Sequence, residues 1–433
     1  MAHYDRISSG SKTPSPISWA EDDFPLERKP LLRKQAWLAP VESYGTLGVV
    51  PAANTAASAV ELPAPAARSV YTGPKDFLGR CHGEGVKIKQ NGDRYEGAFV
   101  HGKRHGQGKE VCAETNDTYT GEFAHNEHHG KGTFTYADGE TYKGEFAHNE
   151  FHGKGTFTYA NGDTYKGEFA HNEFHGKGTF TYANGDTYTG KFAHYEFHGK
   201  GKITEISGKT YEGTFEHNLL PHGTVTFPNG RTYTGQLDEY SRPHGQGKII
   251  LPNKTTYECQ FVDGIPNGQG KLTYPDGGIY EGQFINGERQ GQGKITYPDG
   301  GSYEGQFVNN KRHGQGTHID KYGNQYVGTF QHGQENGAGK LRFADGAQYE
   351  GQFVDGQRQG QGKLTYPDGG IYQGQFINGQ RQGQGTHIDK YGNQYVGAFK
   401  DGRENGEGKL TFKDGRIQQG LFVNGKFVGE AVV

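Results

Sequence analysis

A short motif, Tyr-x-Gly-x-Phe, recurs through most of this chain of 433 residues at a fixed interval of 23 residues. The copies with that interval begin at Tyr119, Tyr142, Tyr165 and Tyr188, and again at Tyr280, Tyr303, Tyr326, Tyr349, Tyr372 and Tyr395. A period of this size predicts a stack of similar supersecondary units, each packed mainly against its neighbours. Such an array is seldom an enzyme, so we expect no catalytic site in it.

One copy, Leu272–Phe284, has the pattern of a β-hairpin. Residues alternate between two faces on both sides of Asp276-Gly277, which predicts two strands joined by a tight turn. Asp-Gly between alternating strands favours a two-residue turn in which both residues have positive φ. A longer turn over residues 285–290 would then return the chain to the next strand. Each repeat is therefore expected to add two antiparallel strands to one sheet.

Glycine and aromatic residues together indicate how the repeats pack. The chain contains 73 Gly, 27 Tyr and 26 Phe but only 2 Trp. In the same copy Gly282 lies between Tyr280 and Phe284. We expect Gly291 and Gly293 on the same side of the next strand, where missing side chains leave room for rings to lie over the backbone. One repeat buries too few apolar side chains to fold alone, so stacking along a single all-β sheet must supply the remaining stability.

Charge and cysteine usage exclude several classes of protein. The formal net charge is −3, which provides no strong basic field for nucleic acid. The three cysteines, Cys81, Cys112 and Cys259, are odd in number and scattered, which indicates a reducing compartment without a disulfide framework. No apolar run approaches the roughly 20 residues of a membrane span, and the N-terminus lacks a secretory signal. We expect a cytoplasmic protein with no cofactor and no nucleic-acid partner.

The periodicity also divides the chain into regions. Residues 1–70 hold both tryptophans and a Pro/Ala/Ser-rich stretch without a period, which is typical of a disordered tail. Thr13 and Ser15 precede prolines there and are candidate phosphorylation sites. The repeat regions are a degenerate capping repeat at 71–94, a first block at 95–210, irregular repeats with a predicted bend at 211–260, a second block at 261–417 and a C-terminal capping repeat at 418–433.

Two columns of histidines recur in the first block. His125, His148, His171 and His194 form one column, and His129, His152, His175 and His198 form the other. Glutamates at the same interval lie between them. Stacked imidazoles of this kind could form a metal-binding or pH-sensitive edge. We favour the alternative, in which the histidine of the motif was copied with the repeat and the glutamates solvate the turn, so we expect no metal.

The segments Tyr95–Gly108 and Tyr303–Gly316 carry the fullest form of the motif, Tyr-Glu-Gly-x-Phe-Val-x-x-Lys-Arg-His-Gly-Gln-Gly. This pattern resembles the MORN (membrane occupation and recognition nexus) repeat, and the resemblance covers about residues 71–430. It implies an elongated, twisted antiparallel sheet with a groove, often dimeric, that serves as a scaffold or adaptor. The chain departs from the family pattern at 211–260 and at both ends of the array.

The resemblance and the composition together predict a non-catalytic scaffold rod that organises protein partners at cytoskeletal or ciliary structures. Partners would bind along the groove, and the C-terminal end would mediate homo-oligomer formation. The candidate groove or core residues are Tyr280, Phe284, Tyr303, Phe307, Tyr349, Phe353, Tyr372 and Phe376. One alternative is a peripheral membrane adaptor that recognises phosphoinositide or other acidic lipids, although the near-neutral charge argues against it. The other is the targeting subunit of a lipid kinase or methyltransferase complex.

Overall fold

The computed structural model describes residues 68–429. Residues 1–67, with Thr13 and Ser15, and residues 430–433 lie outside the described part of the chain. The predictions of a disordered tail, of its phosphorylation and of the last residues of the C-terminal cap therefore stay predictions. Between residues 68 and 429 the structure contains no helix of the length and apolar character needed to cross a membrane.

The described residues form two units, 68–242 and 243–429, and each is described by itself. The strands of the N-terminal unit are β1 (Val70–Thr72), β2 (Gly83–Ile88), β3 (Arg94–Val100), β4 (Lys103–Val111), β5 (Thr118–Ala124), β6 (Glu127–Thr135), β7 (Thr141–Ala147), β8 (Glu150–Thr158), β9 (Thr164–Ala170), β10 (Glu173–Thr181), β11 (Thr187–Ala193), β12 (Glu196–Thr204), β13 (Thr210–Phe215), β14 (His222–Thr226) and β15 (Thr232–Leu237). The strands of the C-terminal unit are β16 (Pro243–Ile250), β17 (Thr256–Val262), β18 (Ile265–Thr273), β19 (Ile279–Ile285), β20 (Glu288–Thr296), β21 (Ser302–Val308), β22 (Lys311–Ile319), β23 (Gln325–Gln331), β24 (Gln334–Arg342), β25 (Gln348–Val354), β26 (Gln357–Thr365), β27 (Ile371–Ile377), β28 (Gln380–Ile388), β29 (Gln394–Lys400), β30 (Arg403–Thr411), β31 (Ile417–Val423) and β32 (Lys426–Gly429).

All 32 strands are assigned to one antiparallel sheet. Within each unit every strand pairs with the next one along the chain, so that the sheet grows by hairpins. The prediction of an all-β sheet of stacked hairpins is confirmed. The predicted elongation and twist, the bend at 211–260 and the boundaries of the predicted regions stay predictions.

The strand register places the glycines of neighbouring strands opposite one another. In the pair β19–β20, Tyr280 lies opposite Ile295 and Gly282 lies opposite Gly293. In the next pair, β20–β21, Gly293 lies opposite Gly305. A row of glycines therefore crosses the strands, and larger apolar side chains flank this row.

Each motif tyrosine covers the pair of glycines beside it. The Tyr280 side chain is fully buried, and a Cβ added at Gly293 would lie 2.5 Å from its Cε2 atom. The Tyr280 hydroxyl donates a hydrogen bond to the Gln283 carbonyl oxygen at 3.0 Å. The ring also meets Phe284 and Phe307 edge to face, with centroid distances of 5.3 and 5.1 Å. Because Phe307 belongs to the next repeat, the rings form one continuous column along the sheet, which is the packing that the composition predicts.

Gly291 has a different role from the one predicted. It lies at the point where the register shifts between β19 and β20, and its φ is +60°. A Cβ at this position would collide with the Gln283 side chain and not with a ring. Its requirement is therefore the left-handed backbone of a β-bulge, which glycine adopts at little cost.

The lengths of the two turns are exchanged relative to the prediction. The turn predicted to be tight is the longer one, and the turn predicted to be longer is the tight one. At Asp276-Gly277 only the glycine has positive φ, and Tyr274 donates its N–H to the Gly278 carbonyl at 2.8 Å. The loop between β18 and β19 spans residues 274–278, so it is not a two-residue turn. The copy at Asn161-Gly162, which Ala160 precedes in place of a proline, likewise has positive φ only at the glycine. The tight turn lies instead between β19 and β20, where Asn286 and Gly287 have φ values of 51° and 79°.

Replacing Gly305 by alanine should destabilise the C-terminal unit. A Cβ there would lie 2.6 Å from the Tyr303 Oη atom and 2.7 Å from both the Gln315 carbonyl oxygen and the Gly316 Cα atom. The backbone atoms cannot move aside without breaking the strand pairing. We expect a loss of about 1–3 kcal/mol, as in other overpacked cores, measured as a lower Tm.

Gly278→Ala is the matched control. Its Cβ would first meet the Asp276 carboxylate at 3.2 Å, which is the end of a side chain, and its φ is not in the left-handed region. We expect this variant to change stability by less than about 1 kcal/mol. Equal losses for Gly278→Ala and Gly305→Ala would contradict the role given to the glycine row.

Candidate interaction surfaces

The eight rings predicted to line a partner groove are buried in the free chain. Each is 0 to 2% exposed: Tyr280, Phe284, Tyr303, Phe307, Tyr349, Phe353, Tyr372 and Phe376. A partner could not contact them without opening the sheet. They belong to the core, and the surfaces available for binding must lie elsewhere.

In four successive repeats of the N-terminal unit a second ring covers the motif tyrosine, namely at Tyr119, Tyr142, Tyr165 and Tyr188. The residue nine positions after the motif tyrosine stacks parallel to its ring, as Phe151 does on Tyr142 at a centroid distance of 3.9 Å. Phe197 stacks on Tyr188 in the same way at 3.7 Å. These pairs close the core of the N-terminal unit with apolar side chains.

In the C-terminal unit the same position holds a buried arginine, which the sequence reasoning missed. Arg289 is 3% exposed, and its guanidinium carbon lies 5.7 Å from the Tyr280 ring centroid and 5.5 Å from that of Phe307. Its Nη2 atom donates to the Asn310 carbonyl at 2.7 Å, in the tight turn of the following repeat. The arrangement recurs at Arg312, Arg358 and Arg381. Cation–π contact and hydrogen bonding thus replace the second ring.

Glu335 occupies the arginine position in one of the two repeats of the C-terminal unit that carry a glutamate there. It is 3% exposed, and its Oε1 atom lies 2.9 Å from His318 Nδ1. Burial alone would raise the pKa of Glu335, but the hydrogen bond to His318 and the positive charge of Arg312 outweigh it and lower that pKa below its usual range. The pair formed by Glu404 and His387 repeats this arrangement at 3.0 Å.

The substitution Glu335→Gln should lower stability at neutral pH and reduce its loss in acid. Since the pKa of Glu335 is lowered on folding, its contribution is complete above the ordinary value of 4.5 and is lost as the pH falls through the folded-state pKa. We expect a loss of about 1–3 kcal/mol at pH 7, since a buried charge-assisted hydrogen bond is weakened. Thermal melting at pH 7 and at lower pH measures both effects.

Glu350→Gln serves as the control because Glu350 pairs with Lys340 at 3.3 Å on the surface, where both side chains are two-thirds exposed or more. Exposed pairs contribute about 0–1 kcal/mol, so this variant should melt like the parent protein. Parallel pH profiles for the two variants would contradict the role of Glu335.

The first histidine column lies in the tight turns of the N-terminal unit. His148 and His171 have φ values of 52° and 50°, so they occupy left-handed turn positions. His148 Nδ1 lies 2.9 Å from Glu127 Oε2, and His171 makes the same contact with Glu150 at 2.9 Å. His194 repeats it, while His125 lies beside the His105 ring. The glutamates thus meet single imidazoles of the next repeat.

The second histidine column lies on exposed strand positions. His129, His152, His175 and His198 lie opposite Glu122, Glu145, Glu168 and Lys191. Among residues 68–429, the group whose ligand atoms lie close enough to hold a metal is instead Asp76, His82 and His101, at the start of the array. Arg80 donates to Asp76 at 2.7 Å, so a cationic side chain already neutralises this group. The expectation that the two histidine columns hold no metal stays a prediction.

An asparagine in the tight turn joins four repeats of the N-terminal unit to the preceding ones, namely Asn126, Asn149, Asn172 and Asn218. Asn172 has a φ of 67°, and its Oδ1 atom accepts the Phe151 N–H at 2.7 Å. Its own N–H donates to the Phe151 carbonyl at 3.2 Å. Asn149 makes the same two contacts with His128. The turns therefore hold neighbouring hairpins together.

Replacing Asn172 by alanine should weaken this connection. The variant loses the acceptor for the part-buried Phe151 N–H and places a Cβ-bearing residue without a polar side chain in the left-handed region. We expect a loss of about 1–3 kcal/mol in thermal or denaturant unfolding. Asn172→Gly separates the two causes because glycine keeps the backbone and removes only the hydrogen bond, and it should lose less. A larger loss for glycine would contradict this account.

The exposed surface is largest on the outer face, defined as the side of the sheet opposite the rings. In β19 it presents Glu281, Gln283 and Ile285. An aliphatic residue before the tight turn is 43 to 49% exposed in five repeats of the C-terminal unit: Val262, Ile285, Val308, Val354 and Ile377. This aliphatic column recurs with the sequence period and is available for contacts.

The repeat geometry is matched by a family model. The MORN repeat model matches fourteen stretches, namely residues 77–94, 95–115, 119–141, 142–164, 165–187, 188–204, 233–256, 257–279, 280–302, 303–321, 326–348, 349–371, 372–390 and 395–415. The chain belongs to the MORN-repeat family. The stretches leave out 205–232, where the repeat starting at Tyr211 keeps only one glycine of its Gly-x-Gly, Gly223, which lies opposite Gly213.

Solved structures resemble this MORN-repeat protein only weakly. The TCP domain of SAS-4 from Drosophila melanogaster, solved with a proline-rich motif of Ana2, is 12% identical, with 40% of this chain and 88% of that chain covered and a TM-score of 0.25. The TCP10 domain of CPAP from Danio rerio is 13% identical, with coverage of 62% and 99% and a TM-score of 0.23. TM-scores this low say nothing about function. No curated protein matches the sequence.

Proposed function

We propose that this MORN-repeat protein is a non-catalytic scaffold that binds and organises protein partners at cytoskeletal or ciliary structures. The observation that carries the proposal is the aliphatic column on the outer face of the C-terminal unit. Family membership supports a binding role, and the burial of the aromatic rings directs that role to the outer face.

Repetition allows weak contacts to add. Each residue of the aliphatic column is only partly exposed, so one contact with a partner buries little apolar area. The same side chain recurs in successive repeats, and a partner with several matching segments would bind them together with a high effective concentration. Assembly of long or repeated structures is the use that fits this kind of surface.

The proposal is tested with a full-length variant in which Val262, Ile285, Val308, Val354 and Ile377 are all changed to serine. These side chains are outside the core, so we expect the Tm to change little. Proximity labelling in the native cell should then recover the main protein partners at least about tenfold less than the parent chain does, the ratio that 1.4 kcal/mol of binding free energy produces.

The control variant carries Gln260→Ser, Gln283→Ser, Gln306→Ser, Gln352→Ser and Gln375→Ser, on the same face of the same strands. It should keep its partners, because these side chains are polar and surround the aliphatic column. Unchanged labelling by the aliphatic variant, or equal losses in both variants, would overturn the scaffold proposal. Labelled partners that belong to neither a cytoskeletal nor a ciliary structure would overturn the assignment of place.

A further inference from the structure

On the outer face of the C-terminal unit, lysines and glutamates form cross-strand ion pairs. The lysine that follows Gly-x-Gly lies opposite the glutamate of Tyr-Glu-Gly, as Lys271 lies 3.4 Å from Glu281. Lys248–Glu258, Lys294–Glu304 and Lys340–Glu350 repeat the pair at 2.8, 3.8 and 3.3 Å. Lysine charge is thus neutralised on the strand beside it in these repeats.

The N-terminal unit replaces this arrangement in two consecutive repeats. Lys143 and Lys166 take the glutamate position, within Tyr-Lys-Gly-Glu-Phe. Threonines take the lysine position, so Lys143 has Thr133 and Thr156 as its cross-strand neighbours. Lys166 likewise lies between Thr156 and a second threonine on β10. No carboxylate stands opposite either ammonium group.

Two further lysines complete a basic patch. Lys154 and Lys177 lie in the Gly-Lys-Gly segments of β8 and β10, and Lys177 has another lysine, Lys191, as its neighbour on β11. Lys143, Lys154, Lys166 and Lys177 line one open cavity of about 560 Å3, together with Thr156 and a single carboxylate, that of Glu168. All four lysines are exposed. Within residues 68–429 none of them is in an ion pair, and Glu168 lies on the strand beside Lys154 without pairing to it.

The four lysines of this patch lie on consecutive strands, β7 to β10. Lys143 and Lys166 share one register position with Thr156, and Lys154 lies opposite Glu168 two residues along. The four lysines therefore form a staggered row across strands that are about 4.8 Å apart. Lys131 on β6, which lies opposite Glu145, and Lys191 on β11, which lies opposite Lys177, extend the row on either side. Contact with the whole row requires a ligand that is extended and carries negative charge at several points.

We propose that this lysine row binds an acidic segment of a protein partner, an extended stretch rich in aspartate and glutamate. The inference rests on the proposed scaffold function and names the chemistry of one class of partner. An extended chain advances about 3.3 Å per residue, so roughly eight residues would cover β6 to β11. Lysine ammonium groups on flexible stems act as point charges, which suits a pliable acidic chain better than a rigid ligand.

The attraction between the positive lysine row and a negative segment determines how the binding affinity responds to salt. Single exposed charge pairs are weak, so binding depends on several contacts formed at once. These contacts are screened within about 10 Å at 0.1 M salt. Binding should therefore be clear at low salt and fall steeply as the salt concentration rises.

The test uses a fluorescent peptide of about ten glutamates, long enough to span the row, and the full-length protein. Its Kd is measured by fluorescence anisotropy for the parent and for the variant Lys143→Gln, Lys154→Gln, Lys166→Gln and Lys177→Gln. We expect the variant to bind at least about tenfold more weakly, since four of the contacts are lost. A glutamine peptide of the same length should not bind.

The matched control is the variant Lys248→Gln, Lys271→Gln, Lys294→Gln and Lys340→Gln. It has the same net charge, but its lysines come from neutralised pairs, so its Kd should change by less than about twofold. Equal weakening in both variants would show that net charge alone binds the peptide and would overturn the proposal. Thermal melting of both variants checks that they fold.

Two further probes separate acidic protein from other polyanions. If duplex DNA or phosphatidylserine vesicles bind more tightly than the glutamate peptide and lose binding in the lysine variant, the proposal is overturned. The scaffold function fails separately, through unchanged proximity labelling by the aliphatic-column variant. A protein that keeps its labelled partners but ignores the glutamate peptide would retain the scaffold function and lose this site.

Discussion

A tyrosine ring lying flat over two paired glycines is the contact on which the rest of this structure depends. The ring needs the space of the missing side chains, since a Cβ at Gly282 or Gly293 would lie 2.4 or 2.5 Å from atoms of Tyr280. The edge-to-face contact with the phenylalanine of the next repeat then makes the cover continuous. A single-layer sheet can thus bury a core without a second sheet or a helix, and both its outer face and its turns stay available for other contacts.

The same repeat carries two different chemistries over this core. Stacked phenylalanines such as Phe151 close it in the N-terminal unit, whereas arginines such as Arg289 close it in the C-terminal unit. The outer faces differ as well. Cross-strand Lys–Glu pairs recur in the C-terminal unit, whereas the four lysines on β7 to β10 of the N-terminal unit form no ion pair. Both units keep the glycine row and the tyrosines in most repeats, with Cys259 and Gln418 as exceptions. One architecture therefore presents distinct surfaces in the two units.

The sequence was sufficient for the hairpins, the glycine–aromatic core and the family, because these depend on local periodicity. It misassigned the turns, since Asp276-Gly277 has the composition of a tight turn but lies in a longer loop that the Tyr274 N–H and the Gly278 carbonyl close. The sequence predicted a packing role for Gly291, because a regular strand without the bulge would place Gly291 on the same side as Gly293, under the rings. The ring residues were predicted to line a groove. Their burial arises from packing between neighbouring repeats, so it cannot be judged from the sequence of one repeat. The lysine row was missed for a related reason, as its charges come together only across strands.

Pairs that span neighbouring repeats restrict how such a protein can change length. The segment Gly-Thr-His-Ile-Asp-Lys-Tyr-Gly-Asn-Gln occurs at Gly316 and again at Gly385, three periods later. Each copy brings a histidine that contacts a buried glutamate of the following repeat, His318 with Glu335 and His387 with Glu404. Duplication of the whole three-repeat segment keeps each glutamate beside its histidine. Insertion of one repeat between the two residues would leave the glutamate without this partner. Lengthening of the array by whole three-repeat segments thus preserves these histidine–glutamate pairs.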